Sequence, residues 1–405
     1  MRPGAFLTAA ETAEMLGVTR ATLYAYVSRG LLRSEPIPGR TRARRYYRED
    51  VERLTERKAT RSDPSRVAAQ ALRWGGPVLE SGITLIQDGS FYYRGHDAIA
   101  LAATSSVETV AALLWGADES EAARLFDQPS PLTSRQVARL DAYVSGPLAA
   151  LQAVLPIATA ADLASLDLRA HAVRLTGARI VRLFATVIAR SDARRSLHDV
   201  LRSAWAPKQP VVGDVIRTAL VLCADHELNI SAFTARCAAS AGASPYDVVS
   251  AALATFKGHR HGGATRRVLG LVRQCDTPKR ARSAIADLLR RGEPVPGFGH
   301  PLYPTGDPRA VELFRLAEAS GNAAALEPFR NLLAAGSDLL GDEPNLDAGL
   351  AAVSRAYRLP DEAPLLLFTF GRTIGWIAHA IEEYTSGRLI RPRARYVGPA
   401  PTGAR

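Results

Sequence analysis

Apolar residues recurring at every third and fourth position, over stretches far too long for strands, constrain this chain more than any other feature. Segments 107–115, 170–188, 211–241 and 363–383 are rich in alanine and leucine, carry that spacing and are broken by short Gly/Pro loops. Residues 83–93 form the only clear β signal in the large part of the chain, with apolar and aromatic residues flanking the hairpin dipeptide Asp88-Gly89. With 405 residues, 47% of them hydrophobic, the chain can bury a large core, and a mainly α fold is expected. No uncharged apolar run reaches the roughly 18 residues of a membrane span. The N-terminus lacks an apolar stretch of signal-peptide length, so a cytoplasmic protein is expected. Cys223, Cys237 and Cys275 are odd in number and lack C-x-x-C spacing, which supports neither a disulfide framework nor a zinc-thiolate site.

The net charge of +11 is uneven. Residues 1–62 hold thirteen Lys/Arg against seven Asp/Glu, so +6 of it lies in that short piece. There Thr8-x-x-Glu11 reads as a capping box opening a helix that Gly17 ends. Thr19 caps a second helix with Leu23, Tyr26 and Val27 on one face, ended by Gly30. The turn Pro38-Gly39, followed by Arg40, Arg42, Arg44 and Arg45 and then Tyr46-Tyr47, suits a basic hairpin or wing, and residues 49–58 suit a third helix. The polar, proline-containing stretch around residue 63 reads as a linker, which divides the chain into 1–62 and 63–405.

Three of the eight histidines sit in unusual company: His226 in ADHELN, His261 in HGGA and His300 in PGFGH. Glycine beside histidine lets backbone N–H groups approach a carboxylate or thioester. A single such histidine is more often a helix-capping loop residue, and a single arginine more often part of a solvated face. Three such contexts followed by Asp307-Pro308-Arg309 argue for a site. Gly297-Phe298-Gly299 lacks the third glycine of a dinucleotide fingerprint, no Walker A sequence appears, and no histidine pair has zinc-protease spacing, so no metal is expected.

The segments ADHELNISAFTARCAAS, KGHRHGGA, PVPGFGHPLYPTGDPRA, PNLD and GWIAHAIEEYTSGRLIRPRARYVGP, in this order, closely resemble bacterial and archaeal citrate synthases over about residues 77–398. The resemblance implies a two-lobed, almost all-helical subunit with a small N-terminal β-hairpin, a large lobe of about 63–225 and 340–405, and a small lobe of about 226–339. It implies acetyl-CoA condensing with oxaloacetate in a homodimer, with no permanently bound cofactor. By the family pattern Asp347 removes a methyl proton of the thioester, His261 donates to its oxygen and His300 polarises the oxaloacetate carbonyl. A thioester α-proton is too weakly acidic for a free carboxylate unless the forming oxyanion is stabilised. His226, Arg309, Arg372 and the partner's Arg391 would hold the carboxylates, as suits the planar fork of arginine. Asn229, one helical turn after His226, would add a polar contact. Gly297, Gly299, Arg266 and Arg267 are expected at CoA. The chain departs from many bacterial members at Pro301 and Pro304, where they carry basic residues, at Thr265-Arg266, where they carry Asn-Glu, and at Ala348, where Ser-Gly is usual.

Residues 5–58 resemble the helix-turn-helix of MerR-type and excisionase-type proteins. That resemblance implies Arg20, Thr22, Tyr24 and Tyr26 at the major groove and Arg40, Arg42, Arg44 and Arg45 at phosphates. A 2-methylcitrate synthase using propionyl-CoA, and a DNA-binding regulator whose synthase body senses metabolites, remain alternatives; one methyl group discriminates by only about 1 to 3 kcal/mol.

Overall fold

The computed structural model describes residues 6–37, 44–51, 54 and 79–399, and of Arg20 and Glu119 the backbone alone. The chain divides into two units, 1–80 and 81–405; the expected 62/63 boundary lies outside the described residues.

In the first unit Thr8 opens α1 (Ala9–Leu16) by accepting from the Glu11 amide, while the Glu11 carboxylate accepts the Thr8 N–H at 2.8 Å, closing the expected capping box. Gly17 ends α1 at φ 57° and Thr19 caps α2 (Arg20–Ser28). Strands β1 (Phe6–Thr8), β2 (Ser34–Pro36) and β3 (Arg44–Tyr47) form an antiparallel sheet with β3 in the middle. Leu7, Leu16, Leu23, Leu32, Tyr46 and Val51 make its core. Residues 48–51 and 54 are helical, in line with a third helix. The Pro38-Gly39 turn, Arg40 and Arg42 fall outside the described residues.

In the second unit β4 (Thr84–Gln87) and β5 (Ser90–Tyr93) pair antiparallel across Asp88 and Gly89, both left-handed at φ 52° and 76°, the geometry a two-residue hairpin turn demands. A third strand, β6 (His96–Asp97), extends the sheet, too short to show alternation in sequence. The helices that carry or frame the histidine motifs are α3 (Pro147–Ala161), α4 (Ala170–Ala189), α5 (Val212–Cys223), α6 (Ile230–Ser240), α7 (Pro245–Phe256), α8 (Ala264–Val272), α9 (Pro278–Arg290), α10 (Pro308–Ala319), α11 (Ala323–Leu340), α12 (Leu346–Ala356) and α13 (Ala363–Ser386).

Helix α13 is apolar on all sides and buried from Ala363 to Ile381, as a helix at the centre of a bundle must be. It is long and apolar enough to cross a membrane, yet its apolar window is wholly covered by protein. Helices α4, α5, α6 and α7 pack on it, and α7 also packs on α3. A second group gathers α8, α10 and α11 around α12, with α9 packed on α11. Helices α6 and α7 pack with the first group, and α12 packs both with the second and on α13. Apolar spacing reports that a helix face is buried but not against which partner.

Two glycines let α13 come close to the end of α5. A Cβ on Gly371 would lie 2.6 Å from the Leu220 carbonyl, and one on Gly375 would lie 2.4 Å from both the Ala224 carbonyl and Asp225 Oδ1. This approach seats Arg372 beside the segment that carries His226.

Candidate active site

The expected continuous helix over 211–241 breaks at residues 224–229, where Glu227 adopts φ 53°. His226 therefore sits in a loop, and Asn229 is not one helical turn after it. Asn229 caps α6 instead, its Oδ1 accepting the amides of Ser231 and Ala232 at 3.1 Å. The run defeats helix spacing here because the Asp225 and His226 side chains are spent on tertiary contacts with Thr84 and Tyr303.

His226 Nε2 lies 3.0 Å from the Tyr303 hydroxyl, and its ring meets that of His300 edge-on at 4.9 Å. His300 Nδ1 accepts the Leu302 amide at 3.2 Å, which leaves the proton on Nε2 as a donor. The Arg309 guanidinium lies over the Tyr303 ring at 5.5 Å, and both oxygens of Asp307 grip Arg309 at 2.9 and 2.8 Å. Asp307 also accepts the amide of Leu346, next to Asp347. Burial alone would raise Asp307, but the Arg309 charge and hydrogen bonds outweigh it and hold it below the ordinary carboxylate range.

Asp347 stands in the first turn of α12, where the helix dipole favours an anion. Burial nevertheless pushes its carboxyl up to about 6, with the Thr265 hydroxyl pulling the other way by donating to Oδ1. Four residues before Thr265, His261 places Nε2 2.9 Å from Ser231 Oγ, which accepts the Trp376 indole N–H at 3.0 Å. Its ring packs edge-on to Phe256 at 4.9 Å and to Phe368 at 6.1 Å, and Arg372 lies over the same Phe368 ring at 5.0 Å. Burial first, and the field of nearby arginines second, push His261 and His300 down to about 4, and His226 falls well below its usual value for the same reasons. All three are neutral imidazoles at physiological pH.

Arg372 is 1% exposed. Its Nε donates to the Cys223 carbonyl at 2.9 Å, and no carboxylate among the described residues lies within ion-pairing distance. Its nearest negative influence is Asp225, itself fully buried, which accepts the Thr84 hydroxyl at 2.6 Å and faces His379 Nε2 at 3.2 Å. A buried cation in that state calls for an anionic ligand.

His226, His300 and Arg309 thus meet around Tyr303, Asp307 ties Arg309 to the amide beside Asp347, and His261 and Arg372 share the Phe368 ring, with the charge of Arg372 reaching His226 and His300. Neutral imidazole donors, a desolvated carboxylate and buried guanidinium groups can bind a dicarboxylate and remove a proton from a carbon acid. The family model for the C-terminal domain of citrate synthase matches residues 71–393. The chain belongs to the citrate synthase family. The citrate synthase of Haloferax volcanii is 33% identical over 79% of this chain and 93% of its own length. A 2-methylcitrate synthase of Mycobacterium tuberculosis is 30% identical over 77% of this chain and 86% of its own. The fold matches citrate synthase of the archaeon Thermoplasma acidophilum, solved with carboxymethyl coenzyme A and oxaloacetate, with a TM-score of 0.73 at 24% identity, over 81% of this chain and 96% of that one. A helix-turn-helix family model matches residues 6–59.

Other expected residues of this citrate synthase-family chain are placed less directly. Arg267 lines a cavity of about 320 Å³ with Gln274, Arg291, Pro294 and Pro296, whereas Arg266 is exposed and does not line it. Gly297 and Gly299 are left-handed at φ 92° and 69°, but the Gly299 N–H is spent on the Glu343 carbonyl at 2.8 Å and the Gly297 carbonyl on Asn345 at 2.9 Å. They brace the turn before α12, and that amide of Gly299 is not free for CoA. Arg391 is exposed on the segment after α13. In the first unit Arg44 binds Ser34 and Arg45 binds Glu35 at 2.6 Å while stacking on Phe6, so these two serve the sheet and are not held out for phosphate. Thr22 is half-buried at the start of α2, and Tyr24 is 58% exposed. Ser231, Trp376, Tyr303, Asp225 and His379 were not singled out from sequence, and Thr265 was marked only as a departure from relatives, with no role. Asp225, next to His226, and Tyr303, three residues from His300, carried a proximity signal.

Proposed function

We propose that this chain condenses acetyl-CoA with oxaloacetate and water to give citrate and CoA. The observation that carries this reading is Asp347, a carboxyl raised by burial to about 6 in the field of buried Arg309, with neutral His300 in the fields of Arg309 and buried Arg372 and neutral His261 in that of Arg372. Asp347 takes a proton from the thioester methyl. His261 Nε2 is held at Ser231 Oγ, whose proton rests on Asn229 Oδ1; when that hydroxyl turns its proton to Nε2, Nδ1–H faces the thioester oxygen and the enolate forms against a donor rather than in water. His300 Nε2–H polarises the oxaloacetate carbonyl, and the new carbon–carbon bond forms there. Arg372 and the remaining donors of Arg309 take the carboxylates, with Arg391 of a second copy completing the set in a homodimer. The cavity beside Arg267 suits the CoA moiety. Water then hydrolyses the thioester to release CoA.

The test follows CoA-thiol release from acetyl-CoA and propionyl-CoA in parallel with oxaloacetate, using Asp347→Ala as the blank. Release that vanishes in the variant supports the synthase, and the faster thioester decides between citrate and 2-methylcitrate. No release, with oxaloacetate still bound, moves the reading to a metabolite sensor.

We further propose that the first unit binds DNA, on the strength of the exposed Tyr24 on the second helix of a matched helix-turn-helix. A gel-shift titration against duplex DNA in rising salt reads it; affinity unaffected by salt would reject phosphate contact.

A further inference from the structure

We propose that Thr265 is a positioning residue for proton abstraction: its hydroxyl fixes Oδ1 of Asp347 and so turns the carboxylate toward the thioester methyl. The proposal rests on the synthase reading above. Thr265 occupies the second position of α8, is fully buried, and donates to Asp347 across the α8–α12 contact. Sequence marked this position as a departure, Thr where many bacterial relatives carry Asn. The structure gives the departure a use. A carboxylate in the first turn of a helix has two χ angles to settle, and the Asp347 amide is already spent on Asn345 Oδ1 at 3.1 Å. The Thr265 hydroxyl is the hydrogen bond found on the carboxylate itself among the described residues, and its donor, a β-branched side chain, is stiff at χ1. With Oδ1 held, proton transfer falls to Oδ2 in one orientation, which is the kind of preorganisation that separates productive from idle encounters.

The charges acting on Asp347 are Arg309 and Asp307 at the start of α10 and Arg267 on α8, and Cys223 at the end of α5 lies in its field. Helices α11 and α13, which also pack on α12, supply no charge of comparable effect. Removing the Thr265 donor therefore leaves the other influences in place.

Thr265→Val keeps the shape and deletes the donor. Its acid limb in kcat/KM moves up by about one pH unit or more, because the ionised carboxylate loses a hydrogen bond. Its kcat falls roughly ten- to hundredfold through lost orientation, while KM for oxaloacetate stays within about twofold. Thr265→Ser restores both. Infrared titration of the Asp347 carboxyl, by difference against Asp347→Asn, reads the same upward shift in the valine variant without turnover. A valine variant with the wild-type limb, kcat and infrared midpoint overturns the proposal while leaving the synthase standing. A wild-type chain that releases no CoA overturns the synthase reading and with it any catalytic use of Thr265. Should the valine variant not fold, Thr265→Ala reads the same limb.

Discussion

Both carboxylate oxygens of Asp307 are closed on Arg309, and one of them also caps the amide of Leu346, so a single buried anion joins the start of α10 to the start of α12. The pair is 3% and 0% exposed, and breaking such a pair leaves an uncompensated buried cation. Asp307→Asn is expected to lower stability by about 3 to 5 kcal/mol in chemical denaturation. In the fraction that folds, KM for oxaloacetate rises, because Arg309 is no longer aimed. A variant with wild-type stability would show that the pair is not the strut the geometry indicates.

The pH profile follows from the three perturbed groups. A base must be ionised to accept a proton, so kcat/KM falls as pH drops through about 6, where burial has raised Asp347. His261 and His300, lowered to about 4, remain neutral throughout that window and add no limb of their own. Rates measured from pH 4.5 to 8 show one acid limb near 6, and its absence in the wild type would detach Asp347 from proton abstraction.

The same burial has a cost to the fold. A carboxyl with its pKa raised from 3.8 to about 6 binds its proton in the folded state when the unfolded chain has already lost it. The Asp347 contribution to stability is therefore most favourable below about 4, falls as pH rises from there through 6, and stays lower above, by on the order of 3 kcal/mol at most, opposite in sign to that of Asp307, which is lost in acid. Asp347→Asn removes that penalty and retains an oxygen for the Thr265 hydroxyl. It is expected to abolish CoA release while raising the melting temperature at pH 7.5 by a few degrees. A lower melting temperature would mean the ionised form is better solvated than its burial implies.

The helices that build the core were legible because their period is written in alanine and leucine, and the hairpin because Asp88-Gly89 permits little else. His261, His300 and Asp347 were legible through glycine-rich or Asn-Leu-Asp contexts in fixed order. Ser231, Trp376 and Thr265 were not, since a serine or threonine on a helix gives no sign of which distant side chain it meets. The helix break at 224–229 escaped for a related reason: Ala-Asp-His-Glu is compatible with helix locally and is overridden by Asp225 and His226 bonding to Thr84 and Tyr303. Gly299 and Arg45 show the converse, residue types suited to a ligand that the fold uses for itself.

The last expectation separates architecture from contact in the N-terminal unit. Arg45 is tied to Glu35 and stacked on Phe6, and Glu35 also accepts the Tyr47 hydroxyl at 3.1 Å, so this arginine links β2, β3 and β1. Tyr24 makes no such link and is 58% exposed. Arg45→Ala therefore lowers the melting temperature of the unit within the full chain, and any loss of DNA affinity follows that loss of fold, vanishing at a temperature where the unit is intact. Tyr24→Ala leaves melting unchanged and weakens DNA binding at every temperature. If Arg45→Ala instead weakens binding with no change in melting and reduces the salt slope by about one, its guanidinium leaves Glu35 for a phosphate when DNA arrives, and the sheet does not need it.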